Sequence, residues 1–305
     1  MELRVLRYFL AVAREGSITG AANYLHMTQP TLSRQMKELE EELGQQLLLL
    51  RGGRRVGLTS EGMLLRKRAE EIVAIADRTE EEFRTMGGSL AGDLYIGGGE
   101  TDAMNQIAAV CRGIQERHPG IRYHLYSGNA QDVTERLDKG LLDFGLLIQP
   151  TDLTKYDCLS IPAKDSWGVI MRRDNPLAGQ ATVTPEDLAE LPLIFSRQVL
   201  EERAEGNALV EWFGPAWDNL NIVATFNLCY NAAVMAKQGV GCVVGIDKIV
   251  DTSEDSALCF RPLQPTLESG LDLVWKKYQV FSAAAELFLH ALRADFAARQ
   301  RETLL

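Results

Sequence analysis

The sequence predicts two architectures in one chain: an all-α N-terminal unit prolonged by a single long helix, and a C-terminal α/β unit of two similar lobes. Three observations carry that expectation. Apolar residues recur at helical spacing through the first 44 positions and again over 60–86, whereas beyond "GGSLAG" at 87–92 short apolar runs alternate with amphipathic segments. At 305 residues the chain is too long for one small domain and long enough for two or three buried cores. Charge divides along the same line. Residues 1–58 hold eight Lys/Arg against six Asp/Glu, 59–90 hold five against seven, and 91–305 hold nineteen against twenty-nine. The net charge of -10 therefore resides in the C-terminal part, and a polyanion would meet the N-terminal end.

In chain order, Leu3, Leu6, Leu10 and Ala13 share one face of a first helix, with Phe9 beside them and Gly16 closing it. After Ser17, "ITGAANYLH" gives a short second helix whose Ala21 and Ala22 let a neighbour approach closely. Thr28 is placed to cap a third helix, and Pro30 sits in its first turn, where a missing N–H breaks no bond. That helix runs to Gly44 and turns Leu32, Met36, Leu39 and Leu43 inward. Three short helices with a tight connection before the third are helix-turn-helix grammar. "LLLLRGGRRVGL" then reads as a two-residue hairpin at Gly52-Gly53 with Arg51, Arg54 and Arg55 around its tip, the wing of a winged helix-turn-helix domain spanning 1–58.

Thr59 can cap a long helix over 60–86 in which Leu65, Ala69, Ile72, Ala76, Thr79 and Phe83 recur by steps of four and three. No nearby sequence in the small N-terminal unit is left to cover this seam, so the linker helix, 59–87, is expected to join two chains. From 88 to 305 the order is "LYIG", a helix over 103–117, "IRYHLY", a helix over 131–139, and "LLDFGLLI". An echo follows in "WGVIM", a helix opened by Thr184-Pro185, "LPLIF", a helix over 199–212, "LNIVATF", a helix over 228–238, and "GCVVGI". This is the rhythm of a parallel-sheet α/β fold. A late strand "LDLVWKK" and a helix from Ser282 to about Arg299 complete it. Two lobes, one of about 92–162 with 267–300 and one of about 163–266, imply a cleft between them.

Composition narrows the function classes. A hydrophobic share of 46% with 24% charged residues is that of a soluble globular protein, and no apolar run approaches the roughly 20 residues that span a bilayer. Glu2, Arg4, Arg7, Arg14 and Glu15 interrupt any export-signal core, which predicts a cytoplasmic protein. The five cysteines are odd in number and widely spaced, so they read as thiols rather than disulfides or metal ligands. "IGGGETDAM" superficially resembles a dinucleotide loop, but Asp102 stands where the last glycine belongs; no nucleophile elbow, metal-spaced His pair or Walker lysine appears. An enzyme is not expected. A freestanding solute-binding protein would fit 91–305 but would need an export signal and leave 1–90 unexplained.

With these residues in place the chain resembles the LysR-type transcriptional regulators. The likeness rests on "LRYFLAVAREGSITGAANYLHMTQPTLSRQMKELEEELGQQL", the wing "RRVGLTSEG", "GDLYIGG", "HPGIRYHLYSGN", "LDKGLLDFGLLI", "LPLIF" and "KQGVGCVVGI". The resemblance implies a sequence-specific regulator that binds double-stranded operator DNA of dyad symmetry and dimerises through the linker helix, usually to form a tetramer. It leaves room for a contact with RNA polymerase and implies no cofactor beyond a small-molecule effector held between the lobes. In a helix-turn-helix the N-terminal end of the reading helix enters the major groove, and Thr28, Gln29, Pro30, Thr31, Ser33 and Arg34 occupy that end, with Lys37 one turn on for a phosphate. The arginines of the wing suit phosphate or minor-groove contact. By the same resemblance Thr101, Ser127, Asn129 and Gln149 from the first lobe and Ser196, Arg197 and Asn227 from the second line the effector cleft. The family commonly takes a carboxylate there, a choice that Glu100 and Asp102, flanking Thr101, put in question. Asp102 is expected instead to cap the helix over 103–117, and Arg197 is as suited to a solvated helix as to an acidic effector.

Overall fold

The computed structural model describes residues 1–51, 55–85, 90–149, 153–201 and 207–303, in two units, Met1–Gly87 and Gly88–Leu305. In the first, α1 (Leu3–Glu15) ends where Gly16 turns left-handed at φ 58° and its N–H returns to the Val12 carbonyl. Ser17 caps α2 (Ile18–Tyr24) by accepting from the Gly20 N–H at 3.2 Å. Helix α3 (Gln29–Leu43) begins at Thr28, whose side chain makes no cap bond and instead meets the Thr31 hydroxyl at 2.8 Å. Leu6, Phe9, Ala21, Ala22, Leu32 and Leu39 interlock as a nearly solvent-free core. Each of the larger ones contributes about 1.5–3 kcal/mol by burial. Leu43, expected to point inward, is 38% exposed because α3 has outrun the core by its last turn.

Strands β1 (Leu48–Arg51) and β2 (Arg55–Leu58) pair antiparallel in the register Arg51 to Arg55, which leaves three connecting residues rather than the expected two. Those residues, 52–54, lie outside the described residues, as does the Arg51 side chain. Thr59 caps α4 (Ser60–Thr85) through the Gly62 N–H at 2.9 Å and donates its hydroxyl proton to the Gln46 carbonyl at 2.7 Å. At position 62 only glycine fits, because an added Cβ would come within 2.2 Å of the Leu47 carbonyl oxygen.

The seam expected on α4 divides. Leu65 packs on the core of its own unit and Ala69 is fully buried in it, with Val73 alongside and Arg7 paired to Asp77 at 2.5 Å. Ala69 therefore cannot meet a second chain: α1 covers the part of α4 that the sequence left uncovered. Ile72, between Ala69 and Val73, and Phe83, farther along, are 41% and 70% exposed.

The second unit is built on one continuous sheet. In its first lobe β3 (Gly92–Gly98), α5 (Met104–Arg117), β4 (Ile121–Ser127), α6 (Ala130–Asp138) and β5 (Phe144–Ile148) alternate as expected, with β3 parallel to both β4 and β5. Strand β6 (Tyr156–Arg172) was not foreseen at its length. At about 3.3 Å per residue its 17 residues reach roughly 55 Å, far enough to pass from one lobe into the other. The second lobe holds α7 (Pro185–Leu188), β7 (Leu193–Ser196), α8 (Arg197–Glu201), α9 (Ala208–Phe213), β8 (Ile222–Phe226), α10 (Cys229–Lys237), β9 (Cys242–Ile246) and β10 (Leu258–Pro262). β11 (Glu268–Lys276) returns to the first lobe and α11 (Ala283–Thr303) closes against α5.

The strand order is β4-β3-β5-β11-β6-β9-β7-β8, with β10 beside β6. The sheet is therefore mixed rather than parallel: β11 runs antiparallel to β5 and β6, and β6 runs antiparallel to β9 and β10. The expected helix over 199–212 is two short helices, with 202–206 outside the described residues. α5 and α11 pack one core against the first lobe's sheet, with Ile107, Phe144, Phe288 and Leu292 at its centre, and α6 covers the other face through Val133 and Leu137. The second lobe is likewise covered on two faces, by Leu209 and Phe213 of α9 packed with Phe195 of β7 on one side and α10 on the other. Among the described residues no helix is long and apolar enough to cross a membrane.

Candidate functional sites: a helix face and a cleft

On α3 the stripe Leu32, Met36 and Leu39 is buried, so Gln29, Ser33, Arg34 and Lys37 are left on the outer side. All four are exposed, as are Thr28 and Pro30, and Thr31 is half-buried. The acids of the same helix have separate tasks. Glu38 lies 3.6 Å from Arg34 and Glu41 lies 3.5 Å from Lys37, each one turn on. Both pairs are exposed at the surface, so they hold the cations loosely and leave them able to exchange partners. Glu40 instead turns toward the wing, where its Oε1 accepts from the Leu47 N–H at 2.7 Å and the Leu48 N–H at 2.9 Å. One carboxylate thus anchors β1 to α3, and Arg55 stands exposed at the start of β2 on the hairpin so anchored. Arg54 and the side chain of Arg51 belong to the stretch outside the described residues.

In the second unit the C-terminal ends of β3, β5, β7, β8 and β9 converge on a cavity of about 410 Å³ between the lobes. Crevices at the carboxyl ends of strands are where open α/β sheets place ligands. The cavity gathers Asn129, Gln149, Ser196 and Asn227 out of the seven residues expected there. The other three stand elsewhere. Thr101 is buried and donates its hydroxyl to Asp165 Oδ1 at 3.0 Å, while its oxygen accepts from the Ala103 N–H at 3.1 Å. Ser127 and Arg197 are exposed and outside the lining. Asp102 does not cap α5, which starts at Met104. It binds the Asn105 amide at 2.8 Å and pairs with Lys248 of the other lobe at 3.3 Å.

Groups the sequence did not mark complete the wall. Trp167, on the stretch of β6 between the lobes, donates its indole N–H to Ser269 at 2.8 Å. Asn207 caps α9 through the Leu209 and Val210 N–H groups, and Gln198 accepts from the Ala130 N–H across the cleft at 3.2 Å. Leu146, Phe226, Ile246 and Leu267 supply apolar surface. Glu100, known from the sequence only as a neighbour of Thr101, reaches over the cleft to accept from the Cys229 N–H at the start of α10. Burial, with the Glu100 charge adding to it, pushes the Cys229 thiol up to about 12, so this lining cysteine stays protonated and unreactive at neutral pH. Behind the cleft, burial raises the Asp165 carboxyl above the ordinary range, and the Thr101 bond offsets this only in part. Its Oδ2 is buried without a partner.

Residues 3–63 match the family described as "Bacterial regulatory helix-turn-helix protein, lysR family", and residues 87–297 match the "LysR substrate binding domain". The uncharacterized HTH-type transcriptional regulator YvbU of Bacillus subtilis (strain 168) is 24% identical over 98% of this chain and 100% of its own. The HTH-type transcriptional regulator BudR of Raoultella terrigena is 32% identical over 65% and 69%. Among solved structures, full-length CbnR complexed with its target DNA superposes with a TM-score of 0.74 at 21% identity, over 97% of this chain and 100% of that one.

Proposed function

The chain belongs to the LysR family of transcriptional regulators, with a helix-turn-helix domain and an effector-binding domain, and from that premise we propose how its parts divide the work. The N-terminal end of α3 reads operator DNA in the major groove through Gln29, Thr31, Ser33 and Arg34; Lys37 and the wing arginines Arg51, Arg54 and Arg55 bind phosphate or the minor groove. A small molecule seated in the cleft among Asn129, Gln149, Ser196 and Asn227 sets how the regulator acts on its promoter. The observation that carries this reading is the partition of α3, with an apolar stripe buried and Gln29, Ser33, Arg34 and Lys37 exposed on the outer side.

Two chains join through the exposed length of α4 around Ile72, Ala76, Thr79 and Phe83, matching a dyad-symmetric operator, and such dimers assemble further into tetramers. The protein works in the cytoplasm, without catalysis, and any contact with RNA polymerase follows from its place on the promoter. Competition binding to the chain's own upstream DNA tests the DNA half. Specific retention against excess random DNA is expected, and Arg34→Ala should weaken operator binding by about 1–3 kcal/mol while sparing random DNA. Equal loss on both would remove Arg34 from base reading.

A further inference from the structure

The cleft has a charge its expected ligand would not tolerate. Among the described residues that line it, Glu100 is the one ionised side chain; the remaining polar lining is made of the neutral amides of Asn129, Gln149 and Asn227 with their like and of two serines. The built-in attractions for an anion on the lining are the N-termini of α6 and α10, where backbone N–H groups carry partial positive charge; the Ala130 N–H of α6 is taken by Gln198 Oε1. Glu100 already occupies that of α10 through the Cys229 N–H. Lys248, a cation close to the cleft, is engaged by Asp102 at 3.3 Å and stands outside the lining. A carboxylate entering this cavity would lose water, find both helix ends taken and face a fixed negative charge.

The opposite charge finds what it needs. Glu100 is half-buried on the cavity lining and uses Oε2 toward Cys229, which leaves Oε1 as a further acceptor. Trp167 and Phe226 bring aromatic rings to the same cavity, and Leu146, Ile246 and Leu267 give an apolar body a place to lie. Resting on the reading that this cleft is the effector site, we propose that its effector is an organic cation, an amine or ammonium compound with an apolar body, and that Glu100 is its counter-ion. Glu100 belongs to one lobe and Cys229 to the other, so the cation would be held where the lobes are already tied.

Three matched sets of probes test this on the full chain: 2-phenylethylamine, 2-phenylethanol and 3-phenylpropanoate, then hexylamine, hexanol and hexanoate, then butylamine, butanol and butanoate. Ligand-observed NMR titration gives their relative affinities for the wild type, for Glu100→Gln, and for Ala208→Trp. Gln keeps an acceptor for the Cys229 N–H and removes the charge; Trp at position 208, an exposed residue of the lining, obstructs the cavity. The expected result is that each amine binds about tenfold or more tighter than its carboxylate partner, as a charge-assisted contact at a half-buried group requires. Glu100→Gln should reduce amine binding about tenfold and leave the alcohols unchanged, and Ala208→Trp should abolish all binding. Carboxylates binding as tightly as amines, or amine binding indifferent to Glu100→Gln, would overturn the cationic assignment while leaving the cleft as the effector site. Binding that survives Ala208→Trp, or no binding by any probe including the alcohols, would instead overturn the effector-site reading and the assignment with it.

Discussion

Replacing Glu40 by alanine isolates the strut between α3 and the wing. Glu40 Oε1 accepts two backbone bonds, from Leu47 at 2.7 Å and Leu48 at 2.9 Å, and both donors are part-buried at the point where the chain enters β1. A hydrogen bond to a charged group is worth about 1.5–3 kcal/mol, and leaving a buried donor unmatched costs about as much. Water can reach part of this corner, so the loss for Glu40→Ala should be about 2 kcal/mol, below the sum of the two bonds. For a unit of this size that corresponds to a fall of roughly 8–16 °C in its unfolding midpoint. Glu40→Gln keeps an acceptor in place and should recover about half of the loss. Calorimetry of the full chain, with circular dichroism assigning the helical transition, measures the stability. Filter binding to random and operator DNA measures the second consequence: a displaced wing weakens binding to all sequences alike. If Glu40→Ala unfolds with the wild-type midpoint, or strengthens DNA binding as simple removal of a negative charge would, the strut assignment is wrong.

Further outcomes follow from other positions. Ala69 is fully enclosed by its own unit, so Ala69→Leu should destabilise the N-terminal unit by about 1–3 kcal/mol through overpacking, whereas Ile72→Glu should leave its stability nearly unchanged and lower self-association in sedimentation velocity. The opposite assignment of effects would restore the whole heptad as the seam. The Asp165 carboxyl is raised by burial, and a carboxyl with a folded pKa above its unfolded one contributes stability that is complete below the unfolded value and is lost as pH rises through the folded value. The C-terminal unit should accordingly lose stability relative to Asp165→Asn across that window, and denaturant midpoints of the two proteins that run parallel with pH would refute it.

How much of this was legible in the sequence depended on how local the determinant was. The helix-turn-helix could be read because its periodicity, the Ser17 cap and the closing Gly16 act within a few residues. The fate of α4 could not, because Ala69 is buried by contacts with α1 more than fifty residues earlier, and spacing alone cannot say which neighbour covers a stripe. The full length of β6 was hidden for a similar reason. Its first half pairs with β11, which lies more than a hundred residues on, and "WGVIM" showed only the uniformly apolar part. In the cleft, Asn129 and Asn227 lie at strand-to-helix junctions that any α/β reading marks. Glu100 lines the cavity where Thr101 was expected, since adjacent residues on a loop point different ways and only the partners, Cys229 and Asp165, decide which faces the cavity.

If the cleft is the effector site, its occupancy changes what the N-terminal unit does on DNA. This is tested most directly by measuring the affinity and footprint of the full chain on its operator while a cleft ligand, 2-phenylethylamine or a tighter amine found from it, is titrated to saturation. The expected result is a saturable change in operator affinity or footprint that tracks cleft occupancy and disappears in Ala208→Trp. Saturation of the cleft with operator affinity, footprint and promoter output all unchanged would contradict it.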